Sequence, residues 1–176
     1  MDRILVFSDI HGDMQAIDRI ISKIEHEQAD HILFAGDLGI DRLAAKVSKL
    51  RHLPIASTFV RGNCDSAWSF SEAAFPLPTQ YAVLHMGKRI IFLTHGHLIP
   101  NWESAPVALA STDIFVSGHT HRSLLEHPKK QPIHLNPGSA SSPRDRKAPT
   151  YALITPEGIA IKILATGEIL EQMKLK

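Results

Sequence analysis

The stretch that decides the fold runs from Ile4 to Asp37 and begins with Ile-Leu-Val-Phe at positions 4–7. This continuous apolar run is typical of a strand buried on both faces. Asp13 is a suitable N-cap for a helix from Met14 to about Glu27, along which apolar residues recur at helical spacing. A second apolar strand, His31 to Ala35, follows it. The order strand, helix, strand predicts parallel strands joined by a right-handed crossover.

The same alternation continues through a helix from about Arg42 to Leu50 and a strand from Ile55 to Val60. The later strands then follow one another with few helices between them. Met86-Gly87-Lys88 predicts a hairpin, and a short helix is expected around Pro106 to Ser111. The later strands are expected at Tyr81 to His85, Arg89 to Thr94, Asp113 to Ser117, Ser123 to Glu126, Ile133 to Leu135, Tyr151 to Thr155 and Ile159 to Leu164.

This order of elements predicts an α/β fold built as a four-layer αββα sandwich. Two mixed β-sheets are expected to pack face to face, with flanking helices on the outside. No segment rich in Pro, Gly or Ser divides the chain, and no internal repeat is present. Residues 1–176 are therefore expected to form a single domain.

Composition narrows the classes of function. Hydrophobic residues make up 44% and charged residues 21%, as in ordinary globular proteins, and the net charge of +1 gives no reason to expect nucleic acid or a membrane surface. Cys64 is the only cysteine, so no internal disulfide can form, which fits a reducing compartment. No apolar run approaches the ~20 residues of a membrane span, and the N-terminus enters a strand without a signal peptide. We expect a cytoplasmic protein, and a homo-oligomer is compatible with these features.

Seven side chains with metal-ligand chemistry follow predicted strand ends in five short groups. Because loops beyond the carboxyl ends of strands meet at one edge of a sheet, we expect these side chains to converge. Carboxylate, imidazole and amide oxygen suit Mn, Fe, Zn or Ni better than they suit a thiolate-type site. The sequence therefore predicts a site for a pair of metal ions. The predicted ligands are Asp9, His11, Asp37, Asn63, His95, His119 and His121.

Six sequence blocks, taken in order, resemble the calcineurin-like metallophosphoesterases over about residues 3–155. They are Asp9-Ile10-His11, Gly36-Asp37, Gly62-Asn63-Cys64-Asp65, Thr94-His95-Gly96-His97, Gly118-His119-Thr120-His121 and Asn136-Pro137-Gly138-Ser139. Each block alone is weak evidence, but all six, in sequence, form a strong signal. The short length and the Gly-Asn-Cys-Asp block most resemble the small prokaryotic phosphodiesterases of that family.

The resemblance implies a dinuclear metal site in which the Asp37 carboxylate bridges the two ions. One ion would be held by Asp9, His11, Asp37 and His121. The other would be held by Asp37, Asn63, His95 and His119. The resemblance further implies that the ions, Mn first and Fe, Ni or Zn as alternatives, cleave a small phosphodiester substrate through a bridging hydroxide. The alternatives are a phosphomonoesterase or protein phosphatase, and a non-catalytic scaffold of the same fold.

Cys64 departs from the family pattern, in which a histidine usually follows the Asn of the third block. A neutral thiol is a poor substitute for an imidazolium, and His97, two residues from a predicted ligand, is the natural candidate to assist the leaving group. His97, Cys64 and Asp37 are therefore the candidate catalytic residues. Cys64 could also be a small buried residue that fills space.

Four further side chains leave two interpretations open. Trp68 and Trp102 follow the third and fourth blocks and either line the mouth of the site or pack in the core. Arg144 and Arg146 lie in the polar segment from Ser139 to Pro149, which is expected to be the most mobile loop. Their guanidinium groups either bind the second substituent of a phosphate or are solvated.

Overall fold

The computed structural model describes residues 2–41, 47–53 and 55–175. The chain contains a 3-10 turn at Trp102–Ser104. In chain order, the elements are β1 (Ile4–Phe7), α1 (Met14–His26), β2 (His31–Phe34), α2 (Val47–Arg51), β3 (Ala56–Phe59), α3 (Ala67–Glu72), β4 (Tyr81–Met86), β5 (Arg89–Thr94), β6 (Ile114–Val116), β7 (Ser123–Glu126), β8 (Ile133–Pro137), β9 (Thr150–Thr155), β10 (Gly158–Ile163) and β11 (Ile169–Lys174).

The strands form a six-stranded sheet, ordered β11-β10-β9-β1-β2-β3, and a five-stranded sheet, ordered β4-β5-β6-β8-β7. Both sheets are mixed, because β1 pairs in parallel with β2 and antiparallel with β9, while β5 pairs in parallel with β6 and antiparallel with β4. The predicted α/β fold with two mixed sheets is confirmed. The hairpin at Met86-Gly87-Lys88 is also confirmed, with Met86 opposite Arg89.

Alternation along β1 explains why its apolar run is continuous. Ile4 and Val6 belong to the core between the sheets, together with residues of the five-stranded sheet such as Ile91. Leu5 and Phe7 belong to a second core, which includes Ile17 of α1. Successive strand residues point to opposite faces, so a strand with a layer on each side must be apolar throughout. Full burial of such a side chain contributes about 1.5–3 kcal/mol.

Helix α1 begins and packs as its sequence predicts. The Asp13 side chain accepts hydrogen bonds from the backbone N–H of Gln15 at 2.8 Å and of Ala16 at 3.0 Å. These bonds satisfy donors that have no partner inside the helix. Ile17 and Ile20 are fully buried on the face that packs against the six-stranded sheet.

The outer face of the five-stranded sheet is covered differently from the outer face of the other sheet. Phe92 and Phe115 stack there with ring centroids 5.7 Å apart, and both are fully buried. Parallel strands such as β5 and β6 need a crossover connection, and the inner face is already occupied by the other sheet. The connection, residues 95–113, therefore crosses the outer face as an irregular segment with the 3-10 turn as its helix.

The helix expected around Pro106 to Ser111 is wrong, because those residues are irregular. Ala105, which precedes the proline, is extended at φ −68° and ψ 140°, as residues before proline prefer. At the other end, the Asp113 carboxylate accepts from the backbone N–H of Ala110 at 2.7 Å and fixes a local turn. Local side-chain bonding therefore replaces the helical ladder.

Other expectations differ in extent. Residues 42–46 of the helix expected to span about Arg42 to Leu50 lie outside the described residues, and α2 covers Val47–Arg51. Helix α3 and strand β11 were not predicted. Within the described ranges, no helix combines the length and apolar character needed to cross a membrane.

Candidate metal centre

The predicted ligands lie just beyond the ends of strands in both sheets. Asp9 follows β1, Asp37 follows β2, and Asn63 follows β3 in the six-stranded sheet. His95 follows β5, and the pair His119 and His121 follows β6 in the five-stranded sheet. Contacts between these side chains, given below, show that the two sheets deliver them to a common site.

The backbone at this site is held in an unusual conformation. Five of the seven predicted ligands have positive φ angles: Asp9 at 53°, His11 at 50°, Asp37 at 53°, His119 at 68° and His121 at 58°. Positive φ costs non-glycine residues about 1–3 kcal/mol each, and it persists only where surrounding contacts impose it. Such strain is characteristic of functional sites, because it points side chains in directions that relaxed strand ends do not provide.

Asp65 supplies much of the restraint on the loop after β2. Its carboxylate is 3% exposed and accepts from the backbone N–H of Asp37 at 2.8 Å, Leu38 at 2.9 Å, Gly39 at 3.2 Å and Gly62 at 2.9 Å. A carboxylate that accepts several N–H bonds fixes the loop as a unit. Asp65 was not among the predicted site residues, although it ends the Gly62–Asp65 block.

Two glycines permit the close approach of the loops. A Cβ placed on Gly62 would lie 2.0 Å from the Asp37 Oδ1 atom, and one on Gly118 would lie 1.9 Å from the Ser8 Oγ atom. Both distances are far below any possible contact. The two positions therefore require glycine for steric reasons, with the backbone packed directly against ligand-bearing loops.

The first half of the centre is formed by Asp9, His11 and His121. The His121 Nε2 atom lies 3.4 Å from Asp9 Oδ1 and 3.1 Å from His11 Nε2. Asp9 is fully buried, and its Oδ2 atom accepts from Ser8 Oγ at 2.7 Å and from the backbone N–H of His119 at 3.1 Å. Its Oδ1 atom is buried with no hydrogen-bond partner among the described residues.

The second half is formed by Asp37, Asn63 and His95. The His95 Nε2 atom lies 3.4 Å from Asp37 Oδ2 and 3.1 Å from Asn63 Oδ1. Asp37 Oδ1 accepts from the backbone N–H of Cys64 at 2.8 Å. The Asp37 Oδ2 atom also lies 3.7 Å from His11 Nε2, so this carboxylate stands between the two halves.

The tautomers of two histidines follow from their partners. His95 Nδ1 lies 2.7 Å from the carbonyl oxygen of Ala35, and His121 Nδ1 lies 2.7 Å from that of Ser142. A carbonyl oxygen can only accept, so each Nδ1 carries the proton. In the neutral rings, both Nε2 lone pairs then point into the site. Metal-binding histidines are oriented by this type of backbone contact.

The result is a set of buried acceptors that converge with too few donors. The Nε2 lone pairs of His95 and His121, and the Nε2 atom of His11, face carboxylate oxygens of Asp9 and Asp37. Buried polar atoms without partners are costly, and a cation is the group that such a set accommodates. The donor chemistry therefore fits divalent metal ions.

Burial and neighbouring charges shift the pKa values of Asp9, Asp37 and His95. Burial raises the pKa of Asp9 above its ordinary value. Burial would also raise the pKa of Asp37, but the hydrogen bond and charge of His95 outweigh it and lower that pKa. Burial would lower the pKa of His95, yet its hydrogen bond with Asp37 raises it. The carboxylate of Asp37 thus stabilises positive charge on the His95 ring.

His119 is the most loosely placed of the predicted ligands. The ring centroid of His119 lies 5.1 Å from that of His95, and His119 is exposed to solvent. Three close groups of possible ligand atoms occur among the described residues, and none includes His119. They are Asp9 with His11 and His121, His11 with Asp37 and Cys64, and Asp9 with Asp37 and His95.

Cys64 is exposed rather than buried as a space-filling residue. Its Sγ atom shares a close group with His11 and Asp37 and lies 3.3 Å from Asn63 Nδ2. Burial of the sulfur, followed by the hydrogen bond and charge of Asp37, raises the thiol pKa to about 11. The side chain therefore remains a neutral thiol near pH 7.

His97 lies beside the second half of the centre. Its ring centroid is 5.3 Å from that of His95 and 6.2 Å from that of His119. Its Nδ1 atom is buried and has no hydrogen-bond partner among the described residues. Burial, together with the charges of His95 and His119, lowers the pKa of His97, so its ring is neutral near pH 7.

The Asn136–Ser139 block and Ser141 form hydrogen bonds with the backbone of the loops that carry Asp9 and His119. Ser139 Oγ donates to the carbonyl oxygen of Asp9 at 2.7 Å, and Ser141 Oγ donates to the same oxygen at 3.0 Å. Asn136 Nδ2 donates to the carbonyl oxygen of Gly118 at 2.8 Å. The motif was recognised in the sequence, but its structural role could not be predicted, because it depends on contacts about 130 positions away.

The loop from Ser139 to Pro149 is hydrogen-bonded to the segment that carries His121 and Ser123. The Arg144 backbone N–H donates to the carbonyl oxygen of His121 at 2.9 Å. The Asp145 carboxylate accepts from both the backbone N–H and the hydroxyl of Ser123 at 3.1 Å. These bonds restrain a segment that its composition marks as mobile, while the Arg144 and Arg146 residues remain exposed.

The tryptophans separate into two environments. Trp68, on α3, is 70% exposed, so the alternative that it packs in the core is wrong. Trp102 is half-buried in the 3-10 turn. A hollow of about 640 Å³ lies beside β9, β10 and β11, but its lining includes none of the predicted ligands. The convergent side chains, rather than this larger hollow, define the functional site.

A two-sheet α/β fold with Asp, His and Asn side chains beyond its strand ends defines a calcineurin-like phosphoesterase. A family model described as the calcineurin-like phosphoesterase superfamily domain matches residues 2–158, and the chain belongs to this superfamily. It is 29% identical to phosphodiesterase YfcE of Escherichia coli K12, with 99% of each chain aligned. It is also 29% identical to the probable metallophosphoesterase YsnB of Bacillus subtilis 168, across 91% of this chain and 88% of that protein.

Solved structures agree with this assignment. The structure of the Escherichia coli phosphoesterase YfcE superposes with a TM-score of 0.81 at 26% identity, covering 99% of this chain and 100% of that one. Vacuolar protein sorting 29 from Cryptosporidium parvum superposes with a TM-score of 0.65 at 18% identity, covering 98% of both chains. The second similarity shows the fold alone.

Proposed function

We propose that this protein is a phosphodiesterase that depends on two divalent metal ions, with manganese as the first choice. The observation that carries the proposal is the buried Asp9 Oδ1 atom, which finds no hydrogen-bond partner in the described part of the chain and faces the His121 Nε2 lone pair. Two ions would be held by Asp9, His11, Asp37 and His121 on one side, and by Asp37, Asn63, His95 and His119 on the other. Bound ions of this kind supply activated water and neutralise charge on the phosphate.

The protein's own groups would fix the ligands before substrate arrives. Asp65 holds the backbone of Asp37 through a short N–H···O bond, and the Cys64 backbone N–H holds Asp37 Oδ1. One Asp37 oxygen is thereby committed to the protein, while the other faces both halves of the centre. Such prior orientation lowers the cost of organising the reaction. We assign Cys64 this backbone role, because its thiol is neutral.

His97 is the candidate to assist the leaving oxygen. It lies beside His95 and His119, and its buried Nδ1 atom has no partner among the residues that the structure describes. A neutral imidazole can donate a hydrogen bond from its N–H group to developing negative charge, and it does not have to be protonated to an imidazolium first. We propose this role in place of an imidazolium acid, because the pKa of His97 is lowered.

A diester fits the charge of the site better than a monoester does. A phosphate monoester dianion needs additional cations around the metal centre. The Nε atom of Arg61 donates to the carbonyl oxygen of Asp65 at 2.9 Å, which leaves only its terminal nitrogens to meet a phosphate. The full-length similarity to a protein named a phosphodiesterase supports the same choice. The substrate we propose is therefore a small phosphodiester.

The test compares hydrolysis of bis(p-nitrophenyl) phosphate with that of p-nitrophenyl phosphate. Protein stripped with a chelator and re-supplied with Mn(II) should prefer the diester. Asp37→Asn should lower the rate by at least ~10³-fold, about 4 kcal/mol, because it weakens both metal positions at once. Asp18→Asn is the matched control, since it removes a carboxylate that is 55% exposed on the side of α1.

The outcomes separate the three functions considered. Preference for the monoester would identify a phosphatase. Binding of Mn(II) without hydrolysis of either ester would support a non-catalytic scaffold. Equal rates in the Asp37→Asn variant and the unaltered protein would exclude the proposed centre.

The role of His97 is tested by varying the leaving group. Phenolate is a poorer leaving group than p-nitrophenolate, so its departure depends more on a hydrogen bond from the protein. His97→Ala should therefore reduce turnover of ethyl phenyl phosphate by about 10²-fold, and that of bis(p-nitrophenyl) phosphate much less. The slope of log kcat against leaving-group pKa should therefore become steeper. An unchanged slope would remove His97 from the proposed chemistry.

A further inference from the structure

A pocket of about 430 Å³ adjoins the candidate metal centre. Its lining includes Pro100, Ser117, His119, Arg122, Leu124 and His134, and we call it the Ser117 pocket. This volume lies within the range of ~300–1,000 Å³ that is usual for small-molecule sites. Because His119 is both a wall of the pocket and a predicted metal ligand, a phosphate at the metals would lie one side chain away.

The polar feature of the pocket is a fixed pair of side chains. Ser117 Oγ lies 2.9 Å from His134 Nε2. The other ring nitrogen of His134 lies 3.7 Å from the Glu126 carboxylate, and its ring packs edge-on against Phe115 with centroids 5.2 Å apart. These contacts hold the His134 ring in one orientation. Ser117 is 5% exposed, so the pair forms the floor of the pocket.

The Asn136 and Thr120 side chains of the pocket are already engaged. Asn136 Nδ2 donates to the Gly118 carbonyl oxygen at 2.8 Å and to Thr120 Oγ1 at 3.2 Å. Asn136 Oδ1 accepts from the backbone N–H of Gly138 at 3.0 Å. A sugar-like or glycerol-like group would therefore find few partners. What remains is the flat rings of His119 and His134, the apolar Pro100 and Leu124, and the exposed Arg122.

We propose that the Ser117 pocket binds the second, non-leaving substituent of a phosphodiester, and that this substituent is an aromatic or heterocyclic ring. This inference rests on the proposed phosphodiesterase function. Imidazole rings, Pro100 and Leu124 offer flat and apolar surfaces to a ring, and the Arg122 guanidinium can lie over its face. With His134 Nδ1 facing Glu126, the Ser117 hydroxyl donates to His134 Nε2, and its oxygen can accept a hydrogen bond from a ring N–H or amino group.

The kinetic test changes only the substituent that stays on phosphorus. Bis(p-nitrophenyl) phosphate and methyl p-nitrophenyl phosphate share the same leaving group, so the ratio of their kcat/KM values reports on the other substituent. Leu124→Trp, which fills the pocket, should lower this ratio at least tenfold. Val83→Trp is the matched control, because Val83 is a 40% exposed residue of β4 in the same sheet and does not line the pocket. An equal ratio in the Leu124→Trp and Val83→Trp variants would overturn the inference.

A binding measurement separates this inference from the proposed function. In ¹H–¹⁵N spectra of histidine side chains of the Zn(II)-loaded protein, diphenyl phosphate should shift the His134 signals saturably, and dimethyl phosphate should not. Equal shifts with both ligands, or none, would exclude the pocket even if diesters are hydrolysed. His134 shifts without any diester hydrolysis would instead overturn the proposed function alone. If Leu124→Trp does not fold, Pro100→Trp, at an exposed loop position, closes the same pocket in both experiments.

Discussion

Two buried clusters of charged side chains can be compared within this molecule, and they are organised in opposite ways. The candidate metal centre gathers carboxylates and histidine lone pairs, and one of its carboxylate oxygens has no hydrogen-bond partner within residues 2–41, 47–53 and 55–175. The Glu27 cluster, formed by Glu27, Tyr151, Lys162 and Arg3, pairs its carboxylate completely. Both are built from residues distant in the sequence, so burial of charge alone does not distinguish a functional site from a structural one.

The Glu27 cluster shows what a compensated buried carboxylate looks like. Glu27 is 5% exposed. Its Oε1 atom accepts from Tyr151 Oη at 2.6 Å and from Lys162 Nζ, and its Oε2 atom lies 3.5 Å from Arg3 Nη2. Each acceptor faces a donor or a cation. The cluster needs no further partner, and it joins the end of α1 to β9 and β10.

Over the described ranges, the candidate metal centre lacks such donors to Asp9 Oδ1, and this difference has a functional meaning. A buried acceptor set without donors is unfavourable in the protein alone, and positive φ angles at five of its residues add strain. Stability is therefore expected to depend on a bound cation at one cluster and on an internal ion pair at the other. Replacing a carboxylate by its amide should therefore lower the stability of the metal-free protein at the Glu27 cluster and raise it at the candidate metal centre.

The largest effect on stability is expected from Glu27→Gln. Gln keeps an acceptor for Tyr151 but leaves Lys162, whose side chain is 13% exposed, without its counter-charge. Breaking a buried pair in this way costs about 3 kcal/mol in the free energy of unfolding. Urea unfolding at pH 7 measures the loss, with Glu25→Gln on the exposed face of the same helix as the control. A loss no greater than that of Glu25→Gln would mean that the cluster is not structural.

The same two clusters show what the sequence could predict. Residue types and their order after strand ends are local properties, so the convergence of Asp9, His11, Asp37, Asn63 and His95 could be predicted from the sequence. The Glu27 cluster could not, because Lys162 lies 135 positions from Glu27 and no local pattern marks either residue. Likewise, the four N–H bonds to Asp65 exist only once the loops after β2 and β3 meet.

The burial of a strand decides whether its sequence pattern predicts it. Ten strands have an apolar face or a continuous apolar run, and the sequence located them within about two residues of their observed ends. Strand β11 was missed, because at the edge of its sheet it buries little: Ile169 is 50% exposed and Leu170 is 40% exposed. An edge strand held mainly by backbone pairing to β10 leaves no period-two pattern to read.

A smaller effect of opposite sign is expected from Asp9→Asn in metal-free protein. The amide oxygen can keep the bonds from Ser8 Oγ and the His119 N–H. The new amide nitrogen can then face His121 Nε2, now 3.4 Å from the unpaired Oδ1. Gaining one buried hydrogen bond and removing a buried charge should add about 1 kcal/mol, a rise in Tm of about 2–4 °C.

Asp113→Asn is the matched control for Asp9→Asn, because it should lower Tm where Asp9→Asn should raise it. Asp113 is 4% exposed, but its two oxygens accept from the backbone N–H of Ile90 at 2.9 Å and of Ala110 at 2.7 Å. Asn cannot accept both, so Tm should fall. Saturating Mn(II), at ~100 times its Kd, should stabilise the unaltered protein by about 2.7 kcal/mol and the Asp9→Asn variant far less. A Tm lowered equally by both substitutions would remove the contrast between the clusters.

The smallest effect concerns the pH dependence of the Glu27 cluster. Burial would raise the pKa of Glu27, but the hydrogen bonds from Lys162 and Tyr151 outweigh it, so the folded pKa lies below the ordinary value of 4.5. The stability contributed by the ionised carboxylate is therefore fully present above about pH 4.5 and is lost as the pH falls through the folded pKa. The difference in unfolding free energy between the unaltered protein and Glu27→Gln, measured in urea without metal, should be constant from pH 7 to 5 and shrink below 4.5. Glu25→Gln should show no such trend, and a Glu27→Gln difference that persists undiminished at pH 3.5 would show that packing rather than charge holds the cluster together.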